Sequence, residues 1–337
     1  MITSICIITV TYGNRKEYII NSLKKALPLD LISKIIVVNN NSNLMEKDIV
    51  NLPFSQKIDF LQNKKNLGSS GGFKSGIKRY LNDPTGDFVL FLDDDNTLGD
   101  NTLDTLVENY EKFNEDNECL GFLCTRKEMR KYWSIAYGGL SSQILNHNYS
   151  FCRFSVFTIV KNILFRFYSS LHSKNVKKNS QLESVIKVTN GYWSGLFISK
   201  AMVLKNPLPN EVFFVYKDDH EYIYNLLQNN LELYLVPNTD LIELDTSWAS
   251  QSTKSIFSFP EMHGSEFRTY YSIRNTVYYE EFVLKDKSII RRVNKFLYLT
   301  ILYMGLIFRD RKRLKFLKMA ISDGLQKRMG INENINP

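Results

Sequence analysis

Short runs of branched apolar residues alternate with stretches of helical spacing through the first hundred positions. Ile5 to Val10 is a continuous apolar run of strand length, Arg15 to Ala26 carries apolar residues at helical intervals, and Ile35 to Val38 is a second buried run. Ile58 to Leu61 reads as a third strand, and the glycine-rich segment after it leads into a helix reaching about Tyr80. A fourth run, Asp87-Phe-Val-Leu-Phe-Leu92, follows. This alternation predicts a doubly wound α/β unit around a mixed, mostly parallel sheet, with ligands at the carboxyl ends of its strands.

The residues at those ends carry the chemistry. The fourth strand closes on Asp93-Asp94-Asp95. Unpaired ionised carboxylates at a buried strand end cost several kcal/mol, on the order of the penalty for any buried ion, so a cation is expected there. Asp93 and Asp95, at alternate positions, suit Mg²⁺ or Mn²⁺ and through it a phosphate; an acidic turn with solvated side chains is the alternative. Thr9, Thr11 and Tyr12 leave the first strand, and Asn39-Asn40-Asn41-Ser42 leaves the second. These side chains have the hydrogen-bonding groups to read a base or ribose, and they are also common turn formers.

Two further segments add to the picture. In Asn66-Leu-Gly-Ser-Ser-Gly-Gly-Phe-Lys-Ser-Gly76, glycines 68, 71 and 72 are expected to let backbone approach an anionic ligand at a helix N-terminus. The spacing is neither that of a Walker A loop nor that of a dinucleotide fingerprint. Downstream, Lys-Asp218-Asp219-His-Glu221-Tyr222 opens a helix expected to continue to about Asn229. Asp218, Glu221 and Tyr222 share a face, with Asp219 at its edge. An N-cap requires one carboxylate, and this helix start supplies three. Such a cluster has the chemistry of a general base.

The order of these parts resembles a family 2 glycosyltransferase of the GT-A fold: Thr-Tyr after the first strand, Asn-Asn-Asn-Ser after the second, Asn-x-Gly-x-x-Gly-Gly-Phe-x-x-Gly, then Asp-Asp-Asp. Gly-Gly-Phe, Asp-Asp-x-Glu-Tyr and the Tyr-Tyr-x-x-Arg-Asn element ending at Asn275 further resemble bacterial galactofuranosyl- and rhamnosyltransferases. The resemblance implies a nucleotide-sugar donor contacted by Thr9, Thr11, Tyr12, Asn39, Asn40, Asn66, Gly68, Gly71, Gly72, Lys74, Asp94, Trp193 and Arg274. It implies Asp219 as base, with Asp218 and Glu221 orienting acceptor hydroxyls. Asn39 stands where many relatives have Asp, keeping hydrogen bonding to uracil without the charge. Trp193, in Asn-Gly-Tyr-Trp-Ser-Gly195, is either a sugar-stacking ring or a core residue. Where relatives carry a metal-binding His before Trp, this chain has Asp245 before Thr-Ser-Trp248, so the metal set is Asp93, Asp95 and Asp245, with Glu243 and His263 as competing third ligands. Arg274 is expected to pair with diphosphate or with the acidic cluster. The implied donor is UDP-galactofuranose, with dTDP-rhamnose transfer or non-catalytic nucleotide-sugar binding as alternatives.

Composition then sets the surroundings. The 337-residue chain is 44% apolar with a net charge of +8, enough for one large core plus a smaller C-terminal module. The expected division is a catalytic domain over 1–283 and a basic helical module over 284–337. Within the catalytic domain, 1–130 forms the nucleotide-sugar half, 151–180 a basic apolar helical insertion, and 181–283 the acceptor half. The run Phe296 to Phe308, flanked by Arg291, Arg292, Lys295 and a basic cluster from Arg309 to Lys318, falls short of the ~20 residues that cross a bilayer. It reads as a helix lying on an anionic leaflet, or as a core helix with a basic outer face. Phe151 to Lys178 reads as a second membrane-facing helix or as a lid near the acceptor. An acceptor glycan carried on a lipid fits both segments. Nucleic acid fits the charge less well, because no reading motif accompanies it. Cys6, Cys119, Cys124 and Cys152 lack metal or disulfide spacing, and Met1-Ile-Thr-Ser runs directly into the first strand. The expected location is therefore the cytoplasm, peripheral on the inner face of a bacterial cell membrane.

Overall fold

The computed structural model describes residues 4–113, 119–126, 149–156, 159–160, 185–245, 265–285, 288–307 and 310–335. The chain divides into two compact units, 1–145 with 182–252 and 146–181 with 253–337. Residues 265–283, grouped by sequence with the catalytic half, thus cluster with the C-terminal helices.

Among the described residues the first unit holds nine strands: β1 (Ile5–Gly13), β2 (Ile32–Ser42), β3 (Ile58–Gln62), β4 (Phe88–Asp93), β5 (Asn96–Leu98), β6 (Leu120–Arg126), β7 (Ile186–Val188), β8 (Leu196–Ser199) and β9 (Glu232–Glu243). Their order is β3-β2-β1-β4-β8-β6-β9-β5, with β7 also on β9. β3, β2, β1 and β4 run parallel, β8 is antiparallel to β4 and β6, and β9 is parallel to β6. β6 and β9 therefore end at the same edge as β1, β2 and β4. This is the mixed α/β arrangement of the GT-A fold.

Alternate side chains of each strand feed two cores. Cys6, Ile8, Val10, Ile36, Val38, Val89 and Phe91 pack on one face against α3 (Gly68–Asn82) and, further along the sheet, α6 (Asp218–Gln228). α5 (Lys200–Lys205) adds Met202 and Val203 to this layer. Ile5, Ile7, Ile35, Val37, Leu90 and Leu92 pack on the other face against α1 (Lys16–Ala26) and α4 (Thr102–Phe113); the short α2 (Glu46–Ile49) adds Ile49. The strands are sandwiched, which is why they read as continuous apolar runs rather than alternating ones. All four cysteines are free thiols.

The second unit holds α7 (Glu266–Tyr278), α8 (Ile289–Leu306) and α9 (Arg311–Leu325). Buried Glu280 receives the Ser150 hydroxyl and the backbone N–H groups of Cys152 and Arg153 at 2.6–3.1 Å. Phe151 and Phe154 are buried beside Tyr298 of α8, so the start of the Phe151 to Lys178 segment is core. The rest of that segment, apart from 155–156 and 159–160, lies outside the described residues. α8 serves two environments. Asn294, Tyr298, Leu302 and Leu306 are buried, whereas Ile289, Val293, Phe296, Tyr303 and Met304 form an exposed apolar stripe. Among the described residues no helix is long and apolar enough to cross a membrane.

Small residues set the distance between α3 and the sheet. A Cβ on Gly76 would lie 2.5 Å from Ile8 Cγ2 and 3.1 Å from Val38 Cγ2. Both neighbours are β-branched and stiff, so they cannot move aside cheaply. Gly76→Ala gains about 1 kcal/mol of helix propensity but incurs about 1–3 kcal/mol of overpacking. Urea denaturation should show a net loss of stability of up to about 2 kcal/mol; a higher midpoint would contradict this packing.

Candidate active site

The carboxyl edge of the sheet gathers the acidic residues, because β4, β6 and β9 all end there and α6 starts there. Two guanidinium groups meet the strand tip. Arg15, at the N-cap position of α1, donates from Nε to Asp94 Oδ1 at 2.9 Å, from Nη2 to Asp95, and from Nη1 to Asp245 Oδ2 at 3.4 Å. The rings of Tyr12 and Tyr18 lie 5.4 and 5.1 Å from its Cζ. Arg126, the last residue of β6, donates to Asp93 Oδ2 at 3.1 Å. The counter-ions of the acidic tip are thus arginines. Arg15 was legible only as the start of a helix; yet the residue entering the first helix of a βα unit necessarily stands beside the strand ends. Arg126 had a weaker signal, the first of several basic residues that follow the run from Leu120.

The tip is braced from below. Ser194 Oγ accepts the Asp93 N–H at 3.1 Å and donates to Asn96 Oδ1 at 2.6 Å, and Asn96 Nδ2 donates to Asp95 Oδ1 at 3.0 Å. Burial pushes Asp94 up to about 7 against the pull of Arg15. Burial also raises Asp93, Arg126 opposes it, and the charges of Asp95 and Asp219 add to the rise. Asp93 nevertheless keeps 40% of its side-chain surface, crowded by protein atoms yet open to solvent.

That influence of Asp219 on Asp93 links the strand tip to the second carboxylate cluster. Asp219 Oδ1 accepts from the backbone N–H of His220 and sits 2.7 Å from its ring Nδ1. Burial would raise Asp219, but the charge and hydrogen bonds of His220, helped by Lys217, hold it below the ordinary carboxylate range. Asp218 behaves oppositely. Its Oδ2 accepts from Ser69 Oγ at 2.7 Å and Trp193 Nε1 at 2.9 Å, and burial with the neighbouring Asp219 charge pushes it up to about 7. Glu221 accepts from Asn225 at 2.9 Å and is raised by burial. The backbone entering this helix is strained: Phe214, Tyr216 and Lys217 all have φ near +65°.

Several residues expected at a donor have protein partners instead. Asn40 spends all four of its hydrogen bonds on the loop ahead of α3. Its Nδ2 donates to Asn66 Oδ1 and Gly68 O, and its Oδ1 accepts from Asn63 Nδ2 and Leu67 N–H. Asn39 donates to Leu44 O and Gln62 Oε1 and accepts from Ser42 N–H, which leaves no donor for uracil. The glycines serve packing rather than ligand approach. Gly68 has φ +72° and backs onto Phe214 O, Gly71 backs onto Leu67, and Gly72 backs onto Val10. The Gly68 and Ser70 N–H groups at the start of α3 are taken by Asn66 Oδ1 and Phe214 O. Trp193 is a core ring between Phe73, stacked at 4.5 Å, and Tyr222 at 4.7 Å, so its faces are closed to a sugar. Arg274 lies in the second unit, 1% exposed, donating to Gly330 O at 2.6 Å and packed on Tyr270 and Tyr271; it is a structural arginine there, not a diphosphate ligand.

Others remain at the sheet edge. Thr9 and Thr11 are buried, Thr11 alongside Asp94, and Tyr12 is exposed. Lys74 is paired with Glu211 at 3.1 Å. Glu243 ends β9 opposite Asn96. His263 and Trp248 lie outside the described residues. As for the metal, the carboxylates expected to hold it, Asp93, Asp95 and Asp245, offer oxygens of the kind that Mg²⁺ or Mn²⁺ takes. Arg15 and Arg126 occupy oxygens of all three, and among the described residues no three acidic, His or Cys side chains stand close enough together to hold an ion. The donor atoms are of the right kind, and in this structure the arginines hold them.

Residues 6–167 match the family described as Glycosyl transferase family 2. The matched stretch, just under half of the chain, is similar to a family 2 glycosyltransferase domain and takes in the strand tip at Asp93 to Asp95. A search of curated proteins finds no match. Among solved structures, GalNAc-T7 in complex with UDP, GalNAc and Mn²⁺ is 11% identical with a TM-score of 0.51, covering 97% of this chain and 56% of its own. TarS of S. aureus is 16% identical with a TM-score of 0.50, covering 98% of this chain and 50% of its own. At these identities the likeness concerns the fold, and this chain spans about half the length of either protein.

The Asp218 environment gives a pH test. The folded protein holds a proton on Asp218 between the ordinary carboxylate value of 3.8 and about 7, and unfolding releases it. Stability therefore falls as pH rises through that window. Asp218→Asn keeps an oxygen for Ser69 and Trp193 without the ionisation, so its melting temperature should gain on the wild type between pH 5 and pH 8. Parallel pH profiles would contradict the assignment.

Proposed function

We propose that the protein is an inverting, metal-dependent hexosyltransferase that moves galactofuranose from UDP-galactofuranose to a glycan acceptor carried on a lipid, in cell-surface polysaccharide synthesis. One observation carries this reading: two carboxylate clusters from distant parts of the sequence converge on one sheet edge, close enough for Asp219 to act on Asp93. A nucleotide-binding role alone would use the strand tip and leave the Asp218-Asp219-Glu221 cluster without a task. The UDP and Mn²⁺ held by the distant structural neighbour GalNAc-T7 are consistent with a UDP-sugar and a divalent ion here.

In this reading Asp93, Asp95 and Asp245 hold Mg²⁺ or Mn²⁺, which supplies positive charge beside the leaving diphosphate. Asp219, kept ionised by His220, takes the proton of the acceptor hydroxyl as that oxygen bonds to the anomeric carbon and the bond to the diphosphate oxygen breaks. One in-line displacement with one base and no enzyme nucleophile inverts the anomeric centre. Asp218, anchored by Ser69 and Trp193, fixes the start of the helix that presents Asp219, and Glu221 faces the acceptor side. Specificity for a furanose rests on the resemblance of Asp-Asp-x-Glu-Tyr to galactofuranosyltransferases.

The exposed stripe of α8 supports a peripheral site on an anionic, inward-facing leaflet. Phe296 and Met304 are 69% and 70% exposed, and Arg292, Lys295, Lys315 and Lys318 lie on the same two helices. The test substitutes glutamate for both Phe296 and Met304, which leaves the buried face untouched. Sedimentation with anionic liposomes should fall steeply in that variant, and equal sedimentation of variant and wild type would remove α8 from the membrane contact.

Nucleoside diphosphate release from UDP-galactofuranose, UDP-galactopyranose, UDP-glucose, UDP-N-acetylglucosamine and dTDP-rhamnose, with Mg²⁺ or Mn²⁺ and a lipid-linked or simple glycoside acceptor, tests the donor. Acceptor-stimulated release from UDP-galactofuranose alone is expected; release from dTDP-rhamnose alone would reassign the sugar. Asp219→Asn should lower turnover by about 10²- to 10⁴-fold, the usual scale of a lost general base, with UDP affinity retained by calorimetry. Undiminished turnover would exclude Asp219 as the base.

A further inference from the structure

Arg15 touches three aspartates at the sheet edge. Its planar fork meets Asp94, Asp95 and Asp245, three positions spread from residue 94 to residue 245, while Asp93 is left to Arg126. Its side chain is 16% exposed and held over two tyrosine rings, so it is a placed group rather than a surface cation. Burial alone would weaken its hold on the proton, and the charges of Asp94 and Asp95 outweigh that effect. Arg15 thus supplies, from within the chain, the positive charge that an acidic strand tip requires.

Two of the three carboxylates it grips, Asp95 and Asp245, are those assigned to the divalent ion. A guanidinium and a divalent cation held at the same carboxylates repel each other. Both Asp95 oxygens already accept a hydrogen bond, Oδ1 from Asn96 and Oδ2 from Arg15. Arg15 in place therefore opposes entry of an ion, and the ion is favoured when Arg15 lets go. Once released, its fork faces the edge where a diphosphate would lie, and phosphate is the other anion that matches it in bidentate geometry.

We propose that Arg15 is an intramolecular counter-cation that closes the acidic tip of the donor-free protein and competes with the divalent ion for Asp95 and Asp245, giving way when a diphosphate offers it a second partner. This rests on the metal-dependent reading above and adds a positioning residue to it. The nucleotide and the ion then strengthen each other's binding partly through Arg15, as linkage requires of any shared partner. The ion alone binds poorly, because it must displace a charge already in place.

The test measures free Mn²⁺ by electron paramagnetic resonance over the full chain, with and without UDP, for the wild type, Arg15→Gln and Arg15→Lys. Arg15→Gln should bind Mn²⁺ in the absence of UDP by about tenfold or more tightly than the wild type, the scale on which an adjacent opposite charge shifts an equilibrium at a carboxylate. It should also gain more thermal stability from Mn²⁺, since its carboxylates lack another counter-ion. Arg15→Lys keeps the charge, loses the fork and should fall between the two. It carries the comparison if the glutamine variant folds only with Mn²⁺, which would itself accord with the proposal. Mn²⁺ affinity in both variants no greater than in the wild type overturns the role of Arg15. If all three proteins still bind Mn²⁺ with UDP, metal dependence stands without it; if none binds Mn²⁺ under either condition, both fall together.

Discussion

Everything at the functional edge depends on neutralising three consecutive carboxylates at the end of a buried strand. β4 is flanked by β1 and β8 and covered on both faces, so Asp94 and Asp95 beyond its end have little water to draw on. A buried ion costs several kcal/mol unless it is paired with good geometry. Arg15 reaches the tip from the first helix and Arg126 from the end of β6, and each comes from an element whose position the sheet order dictates. The site is a consequence of topology: parallel strands bring their carboxyl ends, and the charges carried there, to one edge.

The second constraint is close packing around α3. Asn40 fixes the loop before this helix through four hydrogen bonds, small residues let the helix lie on β1 and β2, and Ser69 at its start holds Asp218. Trp193 donates to the same Asp218 oxygen while filling the core beside Phe73. The helix that presents Asp219 is thereby anchored to the same framework that carries the strand tip. Residues that looked like ligand contacts are the scaffold that keeps two acidic clusters in register.

How much of this was legible depends on the kind of signal. The first four strands and the helices between them were readable because they are buried on both faces, and their apolar runs have few other interpretations. β1 and β2 extend beyond the runs because their polar ends, Thr11 to Gly13 and Asn39 to Ser42, stay in the ladder. The acidic clusters were visible as clusters. Their partners were not, since Arg15 and Arg126 each open an ordinary Arg-Lys pair and their importance appears only when strand order brings them to the tip. Glycine and asparagine misled for a physical reason: a backbone approach to a ligand and one to a neighbouring element call for the same residue types. Arg274 misled likewise, because a guanidinium that caps a carbonyl in a core is indistinguishable in sequence from one that grips a phosphate.

The central claim is that the carboxyl edge of this sheet is where a nucleotide diphosphate meets the acidic tip, opposite Asp219. A crystal structure of the protein grown with UDP and Mn²⁺ tests it most directly. The account predicts the uridine over the ends of β1 and β2, the diphosphate beside Asp93 and Asp95, and the Asp219 carboxylate facing the open side of the phosphate. UDP bound elsewhere on the protein, or at this edge with Asp93, Asp95 and Asp219 all turned away from it, would contradict the claim.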